Sequence, residues 1–406
     1  MKKRLKTRLF SIVLALIFMA GSAQAAEELT FGAALPLTGL FGKGGELVRD
    51  AYTLWMETIN AKGGISGKYK IKIIIYDDQS NPQVSAKLIE KLVIQDKVDL
   101  LLGGYGSSQV MAASAAAERH KYPMISGAAS SNKLFDRGFK YYFATLGKAT
   151  DEVKGIVDVF ASVVPKPKTV AIVGSNIPFT ALACEGYRRA AKQNGFEVVH
   201  FELFPIKLQD YNTMLQKAKA KNPDLLLVGS HLGVAMRVTK AMKEIDFNPK
   251  AVAFSYGPTI PAYVDGLKGD AEYMFAASEW TPNLPYNGPI FGSAADFNTT
   301  YKKRFGRFPD YLQAATVGGA IVLQTAFEEL GLKPGLGQAD RERLMKKLHE
   351  IDMMTFYGQI HFGEDGANVA HPPVAVQVQD GKLVNIFPAE AAEAKPRYPM
   401  PAWKKR

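Results

Sequence analysis

The sequence predicts an α/β protein built from two doubly wound parallel-sheet lobes. From Leu29 onward, short aliphatic and β-branched runs alternate with longer segments of helical period. The short runs are continuously apolar, which is typical of parallel strands covered by helices on both faces. They fall into two series, each long enough to form its own sheet. With 406 residues, 47% of them hydrophobic, the chain has material for two separate cores.

The elements follow in order from these patterns. The predicted strands are residues 30–35, 70–77, 99–103 and 124–126, and then 169–173, 197–204, 224–228, 251–254 and 273–276. The helices predicted between them are 45–60, 82–96, 107–121, 151–164, 180–194 and 232–245. After Trp280 the pattern changes to consecutive helices at 290–305, 313–330 and 339–350, followed by strands at 358–362 and 374–378. The Ala-, Pro- and Lys-rich segment from Ala389 is predicted to be a loose surface strap.

The first 25 residues have the pattern of a secretory signal peptide. A basic start precedes the apolar run 9–20, and Ala23-Gln24-Ala25 supplies the small residues of a cleavage site. The apolar run is shorter than the ~20 residues that span a bilayer. We therefore predict cleavage after Ala25 and an exported, soluble protein. The start carries five positively charged residues, Lys2, Lys3, Arg4, Lys6 and Arg8. Without them the net charge falls from +11 to +6 on the mature chain. Without a Lys/Arg block or a recognition motif, no nucleic-acid partner is expected.

Residue patterns for catalysis are missing from the sequence. The six histidines include no i,i+4 pair, so no metal site is expected. The glycine-rich stretches at 42–45 and 103–106 lack the remaining residues of a phosphate loop and of a dinucleotide-binding motif, so no cofactor is expected. The single cysteine, Cys184, lies in an apolar helix pattern and is interpreted as a buried, inert thiol. No GxSxG nucleophile turn is present. We therefore assign no catalytic residues.

Three polar, glycine-rich loops follow predicted strands, at residues 36–45, 103–108 and 125–131. The carboxyl ends of strands are where open α/β sheets bind ligands. Ser107 and Ser108 add hydroxyl and N–H groups at a predicted helix start, which suits a carboxylate. The alternative is that Ser107 only caps its helix, and position alone does not decide between the two.

Several stretches resemble a known family in the expected order along the mature chain. They include Pro36-Leu37-Thr38-Gly39, Tyr76-Asp77-Asp78, Phe356-Tyr357-Gly358 and, most specifically, Asn60-Ala61-Lys62-Gly63-Gly64-Ile65 with Gly67. Together with the loops at 106–108 and 125–130, they resemble the periplasmic solute-binding proteins of the leucine/isoleucine/valine type, which serve ABC importers.

The resemblance implies the type I periplasmic binding protein fold, with two lobes joined by three hinge crossings and a ligand held between them. The crossings would fall near residues 144–149, 276–280 and 358–363. The N-terminal lobe would then comprise 26–146 plus 279–359, the C-terminal lobe 147–278 plus 360–388, and a tail 389–406. A ligand that contacts both lobes would shift the equilibrium toward the closed form.

The resemblance also assigns site residues. The carboxylate grip would be formed by Ser107, the backbone of Ala128, and Ser130. In the other lobe, Phe179 and His231 stand where amino-acid binders of the family have tyrosines. Tyr105 and Tyr256 would supply aromatic walls, and Gly44 would stand at an aromatic position of the first loop and so enlarge the pocket. His231 either donates to a distal ligand oxygen or is a solvated residue at a helix start.

These residues imply a non-enzymatic ABC-importer binding protein for a small hydrophobic amino acid or carboxylate. The stretch 255–258 contains no acid, and a buried ammonium without an anionic partner costs several kcal/mol. Unless Glu185 or Glu279 reaches the cleft, a larger hydrophobic or aromatic carboxylate is favoured. The expected partner is an inner-membrane permease, and the protein is expected to be a monomer. A ligand sensor that presents the same fold to a receptor, with an aromatic acid or amide as its ligand, is the alternative, and an enzyme is the third class.

Overall fold

The computed structural model describes residues 27–405, so the predicted signal peptide and its cleavage site lie outside the described residues. The first lobe contains a five-stranded parallel sheet in the order β2-β1-β3-β4-β5. Its elements are β1 (Glu28–Leu35), α1 (Gly42–Ala61), β2 (Lys70–Asp77), α2 (Pro82–Ile94), β3 (Leu100–Leu102), α3 (Ser107–Arg119), β4 (Met124–Ser126) and β5 (Tyr142–Ala144).

The second lobe contains a seven-stranded sheet. Its first elements are α4 (Ala149–Glu152), α5 (Lys154–Ser162), β6 (Thr169–Ser175), α6 (Pro178–Gln193), β7 (Glu197–Phe204), α7 (Tyr211–Lys219), β8 (Leu225–Gly229), α8 (Leu232–Glu244), β9 (Ala251–Phe254), α9 (Pro261–Leu267) and β10 (Phe275–Ser278). The strands from β6 to β10 are parallel, and the chain returns later to add two antiparallel strands at one edge.

Between β10 and the two antiparallel strands, the chain returns to the first lobe. It forms β11 (Asn287–Gly288), β12 (Gly292–Ser293), α10 (Ala294–Phe305), α11 (Tyr311–Glu329), α12 (Gln338–Glu350), β13 (Asp352–Thr355) and β14 (Gly358–His361), and then β15 (Val374–Gln379) and β16 (Lys382–Phe387) in the second sheet. The almost wholly buried helix α11 packs on α1, where the Trp55 indole donates to Gln324 Oε1 at 3.0 Å. The chain therefore passes between the lobes three times.

Two predicted helices differ from the observed ones. The helix predicted at 151–164 is two helices, α4 and α5, separated at Val153. The helix predicted from residue 290 begins at Ala294, because the β11–β12 hairpin occupies the preceding residues. Ser293 then starts α10 with a capping box shared with Asp296.

The C-terminal segment is not a loose strap, as the sequence suggested. The backbone N–H of Met400 donates to the carbonyl oxygen of Lys250 at 2.8 Å, and the Trp403 indole donates to that of Phe247 at 2.9 Å. Both side chains are buried in the second lobe's core. These two buried apolar side chains therefore fix the segment to the lobe, and the composition of the segment does not reveal them. None of the helices in the described chain is both long and apolar enough to span a bilayer.

Candidate ligand-binding cleft

The first wall of the cleft consists of loops that follow β3 and β4. Gly106 precedes α3 with φ of 86°, a conformation that glycine adopts without strain, and its N–H donates to the Ala128 carbonyl oxygen at 3.0 Å. Ser107 is the first helical residue and does not cap the helix. Its Oγ accepts a hydrogen bond from the Ser131 N–H at 3.1 Å, which leaves the hydroxyl proton available to a ligand.

The N-terminus of α3 gives this wall its electrostatic character. No side chain caps the helix, and Gly106 and Ser107 border the cavity directly. The unpaired N–H groups and the positive end of the helix dipole therefore point toward the ligand space. Ser130, from the neighbouring loop, adds a second buried hydroxyl. This wall is suited to bind a carboxylate.

The second wall is aromatic and follows strands β6, β8 and β9. Phe179 lies in the first turn of α6, His231 precedes α8, and Tyr256 comes shortly after β9. The His231 ring centre lies 5.3 Å from that of Phe179 and 6.2 Å from that of Tyr256. Parallel strands place their carboxyl ends at one edge of the sheet, which is why three loops distant in sequence converge here.

Hydrogen bonds join the two walls, so the structure is a closed form. Tyr105 OH lies 2.8 Å from His231 Nδ1, and Tyr256 OH donates to Asp310 Oδ2 at 2.6 Å. The Phe41 ring packs on His231 with centroids 5.2 Å apart. Burial lowers the pKa of His231 to about 4, so its imidazole is neutral. His231 lies at the start of α8, is partly exposed and packs against rings of both walls.

The walls leave a cavity of about 20 Å³ between them, measured as the space open to the centre of a water molecule. That space holds about one water, so the closed cleft has to widen to take up an organic ligand. The lining residues come from both lobes: Tyr105, Gly106, Ser107, Ala128, Ala129, Ser130, Leu146, Phe179, His231, Tyr256, Tyr311 and Leu312. Seven of the eight residues selected from the sequence are among them.

Gly44 is the exception. A Cβ atom at this position would lie 2.3 Å from Cζ of Tyr105, so the tyrosine ring occupies the space that a larger residue would need. The absence of a side chain at Gly44 makes room for Tyr105 and does not enlarge the pocket, contrary to the expectation from the sequence. The cleft is consequently smaller than expected.

The sequence reasoning missed the contribution of α11. Asp310, Tyr311 and Leu312 stand at its start, and the last two line the cavity. Burial raises the pKa of Asp310 to about 6, an effect partly offset by the hydrogen bond from Tyr256 and by backbone N–H groups. The spacing of Asp310 and Gln313 is a readable capping box, but it does not reveal that this helix start faces the cleft.

Neither acid considered from the sequence lines the cavity. Glu185 is half-buried on α6 and pairs with Arg188. Glu279 is buried behind the cavity wall, where its carboxylate accepts hydrogen bonds from the Tyr357 hydroxyl and, at 3.1 Å, from the Gly147 N–H. Asp310 is joined to the lining residues by the hydrogen bond that it accepts from Tyr256.

Residues 28–382 match the periplasmic binding protein family. The chain belongs to this family. A Leu/Ile/Val-binding protein homolog 8 from Brucella abortus (strain 2308) is 25% identical over 393 residues, covering 92% of this chain and 94% of that protein. Among solved structures, a branched-chain amino acid transporter substrate-binding protein from Streptococcus pneumoniae, in complex with isoleucine, has a TM-score of 0.78 at 21% identity, covering 92% of this chain and 100% of the other.

A solute-binding protein of an ABC transporter from Rhodopseudomonas palustris BisB5, in complex with 3,4-dihydroxybenzoic acid, has a TM-score of 0.75 at 23% identity, covering 88% of this chain and 96% of the other. These likenesses support the two-lobed fold. This periplasmic binding protein belongs to a family of binding proteins rather than enzymes. Between residues 27 and 405, no three His, Cys, Asp or Glu side chains are grouped to hold a metal ion.

Proposed function

We propose that this periplasmic binding protein is the substrate-binding component of an ABC importer, and that it captures a small hydrophobic or aromatic carboxylate in the cleft and delivers it to a membrane permease. The observation that carries the proposal is the pairing of two unlike walls across one small cavity. One wall offers the N-terminus of α3 with the hydroxyls of Ser107 and Ser130, and the other offers Phe179, His231 and Tyr256.

The first wall suits an anion although no basic side chain lies at the cavity. None of its twelve lining residues, all within the described chain, is Lys or Arg, and burial keeps His231 neutral. Charge on the ligand would therefore be stabilised by N–H and O–H dipoles, as at other helix N-termini that bind carboxylates. The aromatic wall suits a flat ring or a branched aliphatic group.

An aliphatic amino acid remains the competing ligand. The Brucella relative is named for leucine, isoleucine and valine, and the Streptococcus protein was solved with isoleucine, whereas the Rhodopseudomonas protein holds an aromatic acid. Asp310 is the available counter-charge for an ammonium group, but its Oδ2 already accepts from Tyr256 and its Oδ1 from the Leu312 N–H. Because Asp310 itself does not line the cavity, a ligand without an ammonium group is favoured.

Thermal-shift measurements test the proposal. Benzoate and 3,4-dihydroxybenzoate should raise the melting temperature, as a ligand present at a hundred times its Kd stabilises by about 2.7 kcal/mol. Benzamide is the matched control, because it keeps the ring and lacks the negative charge. Leucine and isoleucine test the competing class. If no carboxylate of either class stabilises the protein, the proposed ligand chemistry is wrong.

The cellular part of the proposal concerns export and the permease. We propose that the mature chain begins after Ala25, resides in the periplasm as a monomer and closes by movement of the lobes 26–146 plus 279–359 and 147–278 plus 360–388. Osmotic-shock fractionation with N-terminal sequencing tests export. Ligand-dependent ATP hydrolysis by the reconstituted transporter tests delivery. Recovery of an uncleaved, cytoplasmic chain would contradict the proposed location.

A further inference from the structure

Two buried glutamates lie where the three passages between the lobes meet. Glu279 follows β10 in the second passage, and its carboxylate accepts from Gly147 in the first passage and from Tyr357 in the third. Glu152 ends α4, directly after the first passage. Both side chains are almost fully buried, at 3% and 5% exposure. The two carboxyl groups interact directly with each other.

The Ser130 hydroxyl lies between the glutamate pair and the ligand cavity. Helix α4 is fixed to the cavity loop, since the Ala149 N–H donates to the Ser130 carbonyl oxygen at 2.8 Å. The Ser130 hydroxyl, which belongs to the carboxylate-binding wall, interacts with the side chain of Glu152. Oε1 of Glu152 is buried without a hydrogen-bond partner. A ligand carboxylate bound at Ser130 would therefore lie close to this acid.

Within residues 27–405, no lysine or arginine is paired with either glutamate: Arg189 on α6 donates to Asp151 and, at 3.4 Å, to the Thr150 carbonyl oxygen. The titratable groups that face it from the surrounding elements are Asp151 on α4 itself, Tyr187 on α6, Tyr311 on α11 and Tyr357 in the third passage. His371 contacts the backbone oxygen of Glu279 through Nε2, and burial lowers its pKa to about 4, so it is neutral.

Two ionised carboxylates in such a site are costly, because each loses its hydration and the like charges repel. Burial raises the pKa of both groups, so protonation of the pair is the physical solution. Buried acid pairs of this kind share one proton. Such a proton would lie between the carboxyl groups of Glu152 and Glu279.

We propose that Glu152 and Glu279 are specificity-determining residues that share one proton behind Ser130, and that this proton allows the cleft to accept a ligand carboxylate. The inference rests on the proposed function, because it assigns the pair a role in the choice of that ligand. When the shared proton is lost, the pair gains a second negative charge and repels the anionic ligand. The protein therefore prefers carboxylates while the proton is held and loses that preference as it is released.

The first test needs no ligand. Infrared spectroscopy of the full mature chain at neutral pH should show the carbonyl stretch of a buried protonated carboxyl group. The band should disappear in the Glu152→Gln/Glu279→Gln double variant and persist in Glu350→Gln, which makes the same charge change at an exposed position. Absence of the band from the wild-type protein would overturn the proposal.

The second test uses benzoate. Its Kd should rise about tenfold per pH unit once the shared proton is lost, whereas the Glu152→Gln/Glu279→Gln double variant, which has no ionisable group at the pair, should keep a constant Kd. Glu350→Gln, the exposed control, should keep the pH dependence of the wild type. Equal pH dependence in the wild type and the double variant would overturn the proposal. If benzoate binds at no pH, the proposed ligand class fails, and the infrared band still decides whether the pair holds a proton.

Discussion

The two walls of the cleft have different chemistry and recognise different properties of a ligand. The first lobe presents N–H groups and hydroxyls around Ser107 and Ser130, which interact with the charged group of a ligand. The second lobe presents the rings of Phe179, His231 and Tyr256, which contact its apolar part and limit its shape. A substitution in the first wall should therefore change which charge is accepted. One in the second wall should change which size is accepted and how firmly the wall is packed.

The largest effect should come from the aromatic wall. Phe179→Ala removes a ring that is 7% exposed and packed on His231, so the free energy of unfolding should fall by about 3 kcal/mol. Phe179→Leu keeps most of the volume and should cost about 1 kcal/mol. Urea denaturation of both variants measures the difference. Equal losses would show that the ring itself does not support the wall.

Asp310, which accepts the hydrogen bond from Tyr256 across the cleft, should make the free energy of unfolding depend on pH. Burial raises the pKa of Asp310 from 3.8 to about 6, so the native state holds its proton at pH values where the unfolded chain has released it. The stabilisation is full below pH 4 and is lost as pH rises to about 6, with a total of about 3 kcal/mol.

Asp310→Asn should abolish this contribution while it retains a good helix cap. The free energy of unfolding, measured at several pH values, should fall less steeply in the variant than in the wild type between pH 4 and about 6. Parallel curves for the two proteins would contradict the assignment.

In the polar wall, Ser107→Ala should weaken carboxylate binding by about 1–3 kcal/mol, because the donor to the ligand is lost. Binding of a neutral amide should change little. Ser108→Ala is the control, since it removes the same group from the next residue, which does not line the cavity. Calorimetric titration compares them, and equal losses would remove the assigned role of Ser107.

The smallest effect should come from the contact between Tyr105 and His231. Tyr105→Phe keeps the ring over Gly44 and removes only the 2.8 Å hydrogen bond between the lobes. Ligand affinity should fall by about 1 kcal/mol, because the closed form loses one bond. Tyr122→Phe, a buried tyrosine packed against Arg341, serves as the control. An unchanged affinity in Tyr105→Phe would show that the bond does not support closure.

The fold could be predicted where hydrophobic runs are long and sharply bounded. The predicted strands 70–77, 124–126, 197–204 and 251–254 coincide with β2, β4, β7 and β9. The β11–β12 hairpin has only two residues per strand, which is too few for a periodic pattern. The anchors of the C-terminal segment were missed because its composition resembles that of a flexible tail.

The residues of the cleft, too, could be predicted only in part from the sequence. Loops that directly follow predicted strands revealed the polar wall, because topology places such loops at one edge. Asp310 and Tyr311 could not be found by this rule, since they come from a helix that returns to the first lobe after the parallel strands of the second sheet have formed. Gly44 was misinterpreted because packing, and not sequence, decides which ring fills the space above a glycine.

The central claim is that the two walls close together on an organic carboxylate. Calorimetric titration of the mature protein with benzoate and with benzamide, under identical conditions, tests it most directly. The proposed cleft predicts saturable binding of benzoate and at least tenfold weaker binding of benzamide, the ratio that corresponds to about 1.4 kcal/mol for the interaction with the charge. Equal affinity for the two compounds, or tighter binding of the amide, would contradict the claim.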